Sequence, residues 1–307
     1  MKAIFYIEAP FQLLSAYEAI SYFSIKKYKI LIRFSGIESN DMQLIKLIDL
    51  LNINNNNLEY VTINVQNRNF LDYLKSFLLI LSGYIHQYKY KYIFIGNLDS
   101  KILKQVVKLV KQEKIILLDD GIKSIIFQKS FTKKYNFNLF TMLTDLKAIG
   151  AQKVDYNNFN QIKKMSTSIE YSNDVLFIGS KLSEIGIVTE EYYLKYIKRI
   201  AHYYSDSNIL YITHRGESKE KLIKIKSINN IEIVSLDYPL ELYPMYNHTL
   251  PLNIASFYSA ALISLLKLYP KTDVKSFFIK NPLCYKREVT EAYNYIEKYI
   301  EVYTLDV

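Results

Sequence analysis

The chain has 307 residues, half of them apolar, with 39 Lys and Arg against 30 Asp and Glu and a formal charge of +9. Eight glycines and six prolines, with no low-complexity segment beyond Asn54 to Asn57, exclude extended disorder, and a single cysteine excludes an internal disulfide framework. Such a chain buries a large core and is expected to divide into two domains, and its basic balance favours an anionic partner such as a nucleotide, a nucleic acid or an acidic membrane surface.

The N-terminal run MKAIFYIEAPFQLL is too interrupted by Lys2, Glu8 and Pro10 to be a signal peptide, which predicts a cytoplasmic protein. Apolar, β-branched runs then recur at residues 3–7, 30–34, 58–63, 92–95 and 115–118. They are separated by segments with three- and four-residue apolar spacing at 10–23, 41–51, 70–81 and 101–110. That alternation predicts a parallel sheet with crossover helices. The polar stretch 157–173 is expected to be a linker. After it, strands are predicted at 175–178, 208–212, 231–235 and 276–279, and helices at 190–203, 257–268 and 289–302. The whole reads as α/β, with an N-terminal Rossmann-like domain over 1–160, a second over 161–307, and a catalytic cleft between them.

Two apolar stretches imitate membrane spans. The first, 73–85, is too short, and the second, 251–269, carries Asn253, three serines and Lys267, so both are expected to be buried helices. Cys284 is expected to be a buried core thiol in a reducing compartment. No Cys/His spacing suggests a metal site, so no metal is expected. The lysines are scattered among Ile, Tyr and Asn without a dense basic block, which argues against a nucleic-acid partner. Peripheral association with the inner face of the cytoplasmic membrane fits the basic surplus, and a homodimer is left open.

Polar groups gather where the predicted strands end, which is where open α/β sheets place ligands. Asp119-Asp120-Gly121 follows the run 115–118; its carboxylates could accept a proton or orient a sugar, and the same tripeptide is ordinary turn chemistry. His214-Arg215 ends the run 208–212 and supplies an imidazole and a guanidinium suited to phosphate, or else a surface loop. Gly179-Ser180 follows 175–178, with Glu184 beyond it. Pro239 is expected at a first helical turn that aims Glu241 inward, towards a ribose. Ser256 is expected as the N-cap of the helix 257–268 and, with Ser259, as part of a phosphate site built on that helix N-terminus.

In order along the chain, Glu8-Ala-Pro-Phe-Gln-Leu-Leu, Asp119-Asp120-Gly121, Gly179-Ser180, His214-Arg215, Pro239-Leu-Glu241 and Ser256-Phe-Tyr-Ser259-Ala-Ala-Leu resemble the bacterial sialyltransferases of glycosyltransferase family 52. The related bacterial polysialyltransferases share acidic-Gly and His-Pro motifs in that order. The resemblance spans about residues 4 to 265. It implies a two-domain GT-B fold and an inverting, metal-independent, cofactor-free transfer of sialic acid, or a related nonulosonic acid, from its CMP ester. The implied acceptor is a galactose-containing glycan of capsule or lipooligosaccharide. It further implies that His214 contacts the CMP phosphate and assists its departure, with Arg215 nearby. Glu241 would bind the ribose or cytosine side, Ser256 and Ser259 the phosphate, Gly179 and Ser180 the donor, and Pro10, Gln12 and Gly121 the acceptor side. The usual His-Pro is His-Arg here. The catalytic base stays open between Glu184, which only approximates the family's position, and Asp119 or Asp120, to which the polysialyltransferases point. Two other readings are a GT-B transferase using a different nucleotide sugar, such as a glucosyltransferase, and a non-catalytic protein that binds an anionic glycan.

Overall fold

The structure, a computed structural model, describes residues 2–121, 124–125, 137–144, 151, 153–166, 168–280, 283 and 287–306; the expected core thiol Cys284 lies outside these residues. The chain forms two compact units. One comprises Met1–Lys164 with Asp237–Pro239, the other Met165–Leu236 with Leu240–Val307.

The first unit contains β1 (Lys2–Ile7), α1 (Pro10–Tyr22), β2 (Lys27–Phe34), α2 (Glu38–Leu50), β3 (Leu58–Thr62), α3 (Phe70–Lys89), β4 (Tyr92–Ile95), α4 (Lys101–Leu109), β5 (Ile115–Leu117), β6 (Asn138–Thr141) and β7 (Val154–Tyr156). Its seven strands lie in the order β3-β2-β1-β4-β5-β6-β7 and every pairing is parallel. The order reverses between β1 and β4, the place where such sheets leave a crevice at their carboxyl ends. Ile4, Tyr6, Ile93, Ile95, Val106 and Ile115 lie in one buried cluster beneath α3 and α4. The β4 run Tyr-Ile-Phe-Ile is apolar on both faces because helices cover both sides of a parallel sheet.

In the second unit β8 (Glu170–Ile178), β9 (Ile209–Ile212), β10 (Ile231–Val234), β11 (Thr249–Ser256), β12 (Asp273–Phe278) and β13 (Glu301–Thr304) form a parallel sheet ordered β10-β9-β8-β11-β12-β13. Here the order reverses between β8 and β11. The helices Glu190–Tyr203, Lys219–Lys226, Ala261–Leu268 and Arg287–Ile296 connect the strands. The core is aromatic: Phe177, Tyr193, Tyr196, Tyr211, Phe257 and Phe277 are all buried together.

Several expectations are corrected. The stretch 157–173 is not strandless; it holds the helix Asn160–Met165 and the start of β8. That helix is tied to α1, because the buried Glu18 carboxylate accepts the Gln161 and Ile162 N–H groups at 2.8 to 3.0 Å. The stretch 251–269 is not one helix. Thr249–Ser256 is a strand at the middle of its sheet, and the helix begins only at Ala261. The predicted helix 289–302 ends at Ile296, with β13 following. The stretch 73–85 is helical within α3 but not buried: Tyr73, Leu74, Phe77, Leu78, Leu81, Tyr84 and Ile85 are all exposed. Among the described residues no helix is long and apolar enough to cross a membrane.

Candidate functional site

In the second unit β8 and β9 run in register from Val175 opposite Ile209 to Ile178 opposite Ile212, so the chain leaves both strands at one edge. The Gly179 N–H donates to Ile212 O at 2.8 Å and the Thr213 N–H to Val234 O at 2.9 Å, which brings Gly179-Ser180 and Thr213-His214 side by side. Gly179 has no room for a side chain. A Cβ there would stand 2.6 Å from a Glu217 carboxylate oxygen and 2.7 Å from the Tyr211 ring and hydroxyl.

Beneath this edge lies a polar cluster whose Lys221, Glu217, Tyr193 and Tyr211 sequence reasoning did not single out. Ser218 caps the helix Lys219–Lys226 by accepting the Lys221 N–H, and the first turn so fixed sends the Lys221 side chain inward. Its ammonium is wholly buried. It meets Glu217 at 2.9 Å, both oxygens of Glu184 at 3.0 Å and the Ser180 carbonyl at 3.0 Å, and lies 4.2 Å from the Tyr193 ring centre. Glu217 also accepts the Tyr211 hydroxyl at 2.6 Å and the His214 N–H at 2.7 Å. The Tyr193 and Tyr211 hydroxyls are 2.7 Å apart, and Tyr193 accepts the Ser180 N–H. Burial pushes the Glu217 carboxyl up, with Lys221 opposing it, and burial holds both tyrosine hydroxyls neutral far above their ordinary range. A buried lysine with this many partners is a rigid post under the Gly179-Ser180 and His214 loops. The Glu217-to-Lys221 spacing of four residues was its only trace in the sequence.

His214 is largely buried. Desolvation first, then the charges of Lys181, Arg215 and Lys221, depress its pKa to about 4. The neutral ring accepts the Gly216 N–H at Nδ1, 3.0 Å away, which leaves the proton on Nε2 as a donor. His214 at neutral pH is therefore a hydrogen-bond donor rather than an imidazolium acid. Lys181 and Arg215 are exposed around it, so this edge is cationic.

The other expected donor residues are placed differently. Ser256 is not an N-cap: it ends β11, is fully buried, and its hydroxyl donates to Ile178 O at 2.8 Å, bridging the two strands at the switch point. Ser259 accepts the Ala261 N–H at 3.2 Å just ahead of the helix Ala261–Leu268, whose N-cap is Ala260 without a side-chain capping bond. Glu241 lies buried in the turn Leu240–Leu242, where its carboxylate accepts the Ser264 hydroxyl at 2.6 Å and burial raises its pKa. It supports the helix Ala261–Leu268 from beneath. Glu184 is ion-paired. Partial burial works against its charge, but the Ser218 N–H and Lys221 outweigh that and hold it below the usual carboxylate range, which ill suits proton abstraction.

The first unit has its own polar edge. Pro10 opens α1, and Gln12 in the first turn accepts the Glu8 N–H at 2.8 Å and donates to Asp120 at 3.0 Å. Gly96, after β4, has no Cβ space because Gln12 fills it. Glu8 pairs with Arg33 at 2.6 Å and accepts the Ser100 hydroxyl at 2.9 Å; its second oxygen is buried without a hydrogen-bond partner. Neither Glu8 nor Arg33 was among the expected site residues. Asp119 is buried and used locally, accepting the Thr141 hydroxyl and the Met142 N–H, both at 2.6 Å. Asp120 is half-buried, and its own N–H donates to Ser124. Gly121 takes a left-handed φ of +59° that makes the turn between them possible. Among the described residues no group of three or more His, Cys, Asp and Glu could hold a metal ion.

No family model matches the sequence, and no curated protein matches it in sequence. Solved structures do match in shape. The UDP-GlcNAc 2-epimerase of Methanocaldococcus jannaschii, in complex with UDP-GlcNAc and UDP, is 12% identical with a TM-score of 0.58, over 99% of this chain and 89% of its own. MurG of Acinetobacter baumannii is 10% identical at a TM-score of 0.51, over 99% and 86%. A UDP-glucosyltransferase from Polygonum tinctorium is 8% identical at a TM-score of 0.50, over 100% and 85%. The expected membership of the family 52 sialyltransferases is thereby overturned: no family model supports it, and the structural neighbours include enzymes described by their UDP-sugars. Acidic, basic and hydroxyl residues at the strand ends of two Rossmann-like units accompany this fold whatever the donor, and six short motifs in order did not discriminate among them. The two parallel sheets with their covering helices are those of the GT-B fold.

Proposed function

We propose that the chain is a nucleotide-sugar-dependent glycosyltransferase, with the second unit binding the nucleotide diphosphate. The observation that supports this most is the edge at Gly179-Ser180 and His214-Arg215. A side-chain-free loop, a neutral Nε2–H donor and two exposed cations stand there on a buried Lys221 post. Such an edge favours a diphosphate leaving group without requiring a metal ion. A uridine diphosphate sugar is the donor to test first, because two neighbours of the same fold are described by one.

In the proposed reaction the acceptor hydroxyl oxygen attacks the anomeric carbon as the bond to the diphosphate oxygen breaks, with inversion. The electron pair goes to that oxygen, where His214 Nε2–H, Arg215 and Lys181 stabilise the charge. The hydroxyl's proton passes to a general base as the new bond forms, and within the second unit Glu184 is already ion-paired with Lys221. Peripheral association with an anionic membrane surface belongs to the same reading, supported by the charge of +9.

The test is incubation with UDP-GlcNAc and UDP-glucose, with and without sugar acceptors, following UDP release and the sugar product. Acceptor-dependent UDP release, lost on His214→Ala in protein that still melts cooperatively, is the expected result. An epimerised donor without UDP release would replace transfer by isomerisation. No turnover of any nucleotide sugar, with anionic glycan still bound, would leave a non-catalytic binding protein.

A further inference from the structure

The helix α3 is amphipathic in the reverse sense for a surface helix. Its side turned to the protein is mostly small and polar: Asp72, Ser76, Gly83 and Gln87 are buried there, and only Leu79, with the half-buried Ile80 beside it, packs large apolar groups on the core. These inward groups are satisfied. Asp72 closes a capping box with Asn69, and Gln87 donates to Leu109 O and accepts the Lys111 N–H, both at 3.2 Å. The neighbouring His86 meets the Tyr6 hydroxyl at 2.8 Å. Gly83 lies so close to Val106 of α4 that a Cβ would stand 2.6 Å from it.

The outward side carries Phe70, Leu71, Tyr73, Leu74, Phe77, Leu78, Leu81, Tyr84, Ile85 and Tyr88, all exposed, from 43% for Leu81 to 80% for Phe70. The remaining exposed residues of the helix are Lys75 and Lys89; no acidic side chain shares that side. Water-facing helices place their polar residues outward, and an apolar patch this continuous marks an interaction surface. Its surroundings indicate the occupant. Between residues 68 and 114 the chain holds nine Lys and Arg against three Asp and Glu, so most of the net charge of +9 falls in and around α3 and α4. Of those acids, Asp72 is buried in the capping box and Asp99 is paired with Lys104.

We propose that α3 docks the protein in the plane of an anionic membrane surface, its Phe, Leu and Ile side chains entering the headgroup boundary and its tyrosines lying at that depth. The flanking lysines meet the lipid phosphates. This rests on the peripheral membrane reading above and assigns it to one helix face. An interfacial helix needs an apolar face, aromatic residues at the boundary and basic flanks; α3 carries the first two, and the residues around it in 68–114 supply the third.

The chain contains no tryptophan, so Phe77→Trp gives a single fluorescent reporter at the centre of the face. The full chain is mixed with vesicles of phosphatidylcholine alone and with one third phosphatidylglycerol, and binding is read by co-sedimentation and by the emission maximum. The expected result is binding to the anionic vesicles with a blue shift, weakened by 0.5 M salt, and a fall of about tenfold or more in partitioning for Phe77→Glu with Leu81→Glu. UDP release in solution stays unchanged in that variant. If the unsubstituted chain binds neither vesicle, the peripheral reading and this assignment both fail. If it binds and the double variant binds equally well, only the assignment to α3 fails. A dimer in sedimentation analysis that dissociates in the double variant, with no vesicle binding, gives the face to a second copy of the chain and overturns the proposal. UDP release lost in the double variant while binding persists would also overturn it.

Discussion

The two units each bury an ion pair near the carboxyl edge of a parallel sheet, and they do so differently. In the first, Glu8 and Arg33 form one short contact, with Ser100 on the same carboxylate oxygen and the other oxygen without a partner. In the second, Lys221 is shared by Glu217, Glu184, the Ser180 carbonyl and the Tyr193 ring. A buried charge is costly unless every partner is present, so a pair has no reserve, whereas a cluster keeps one partner when another is lost. The second edge is accordingly the stiffer platform, and it is the one to which diphosphate binding is assigned.

The largest effect that would break this comparison comes from removing the shared cation. Lys221→Met leaves Glu217 and Glu184 facing each other without their counter-charge and is expected to cost about 3 to 5 kcal/mol in urea unfolding. A loss below about 1 kcal/mol would show that the cluster is not a scaffold. Next, single carboxylates distinguish pair from cluster. Glu8→Gln removes the charge that pairs with Arg33 and should cost about 2 to 3 kcal/mol, while Glu217→Gln leaves Lys221 with Glu184 and should cost about 1 to 2. Melting both variants side by side checks the order, and a reversal would refute the contrast.

Smaller changes test the loops. Gly179→Ala lacks space beside Glu217 and Tyr211 and should cost about 1 to 3 kcal/mol along with nucleotide binding. Gly121→Ala meets none of the described residues but has a φ of +59°, so about 1 kcal/mol of backbone strain is expected with the Gln12 and Asp120 contact retained. A change of pH tests the His214 loop directly. Folded His214 stays neutral down to about 4, whereas the unfolded ring takes a proton near 6.5. Folding stability from this group is therefore present above pH 6.5 and is lost as the pH falls from there towards 4. Comparing unfolding at pH 7 and pH 5 between the natural chain and His214→Gln isolates it. The natural chain should lose more, and equal losses would mean that the ring is not desolvated.

Much of the fold was legible because inner parallel strands carry short continuous apolar runs, as residues 30–32, 92–95 and 209–212 do. Short strands failed to announce themselves: Asn138–Thr141, Val154–Tyr156 and Glu301–Thr304 have three or four residues with polar members, and two of them are sheet edges. The central strand Thr249–Ser256 was hidden by Pro251 and Asn253, which the sheet accommodates with a register shift between those residues. Misreading it as helix displaced Ser256 from a strand end to a cap. His214-Arg215 and Asp119-Asp120-Gly121 were visible because they interrupt apolar runs abruptly. Lys221 was not, since an inward lysine looks the same in sequence as its exposed neighbours Lys219 and Lys224. Periodicity also marked α3 as amphipathic without telling which face turns inward.

The close seam between Gly83 and Val106, with Gln87 tied to the end of α4, fastens α3 by small and polar groups. The large residues on its other side contribute little to the core beneath. Substitutions there can accumulate with small effect on folding, and substitutions in the seam cannot. Under the proposed docking, where the molecule resides and whether it holds together are set on opposite sides of one helix, so the first can change while the second is kept.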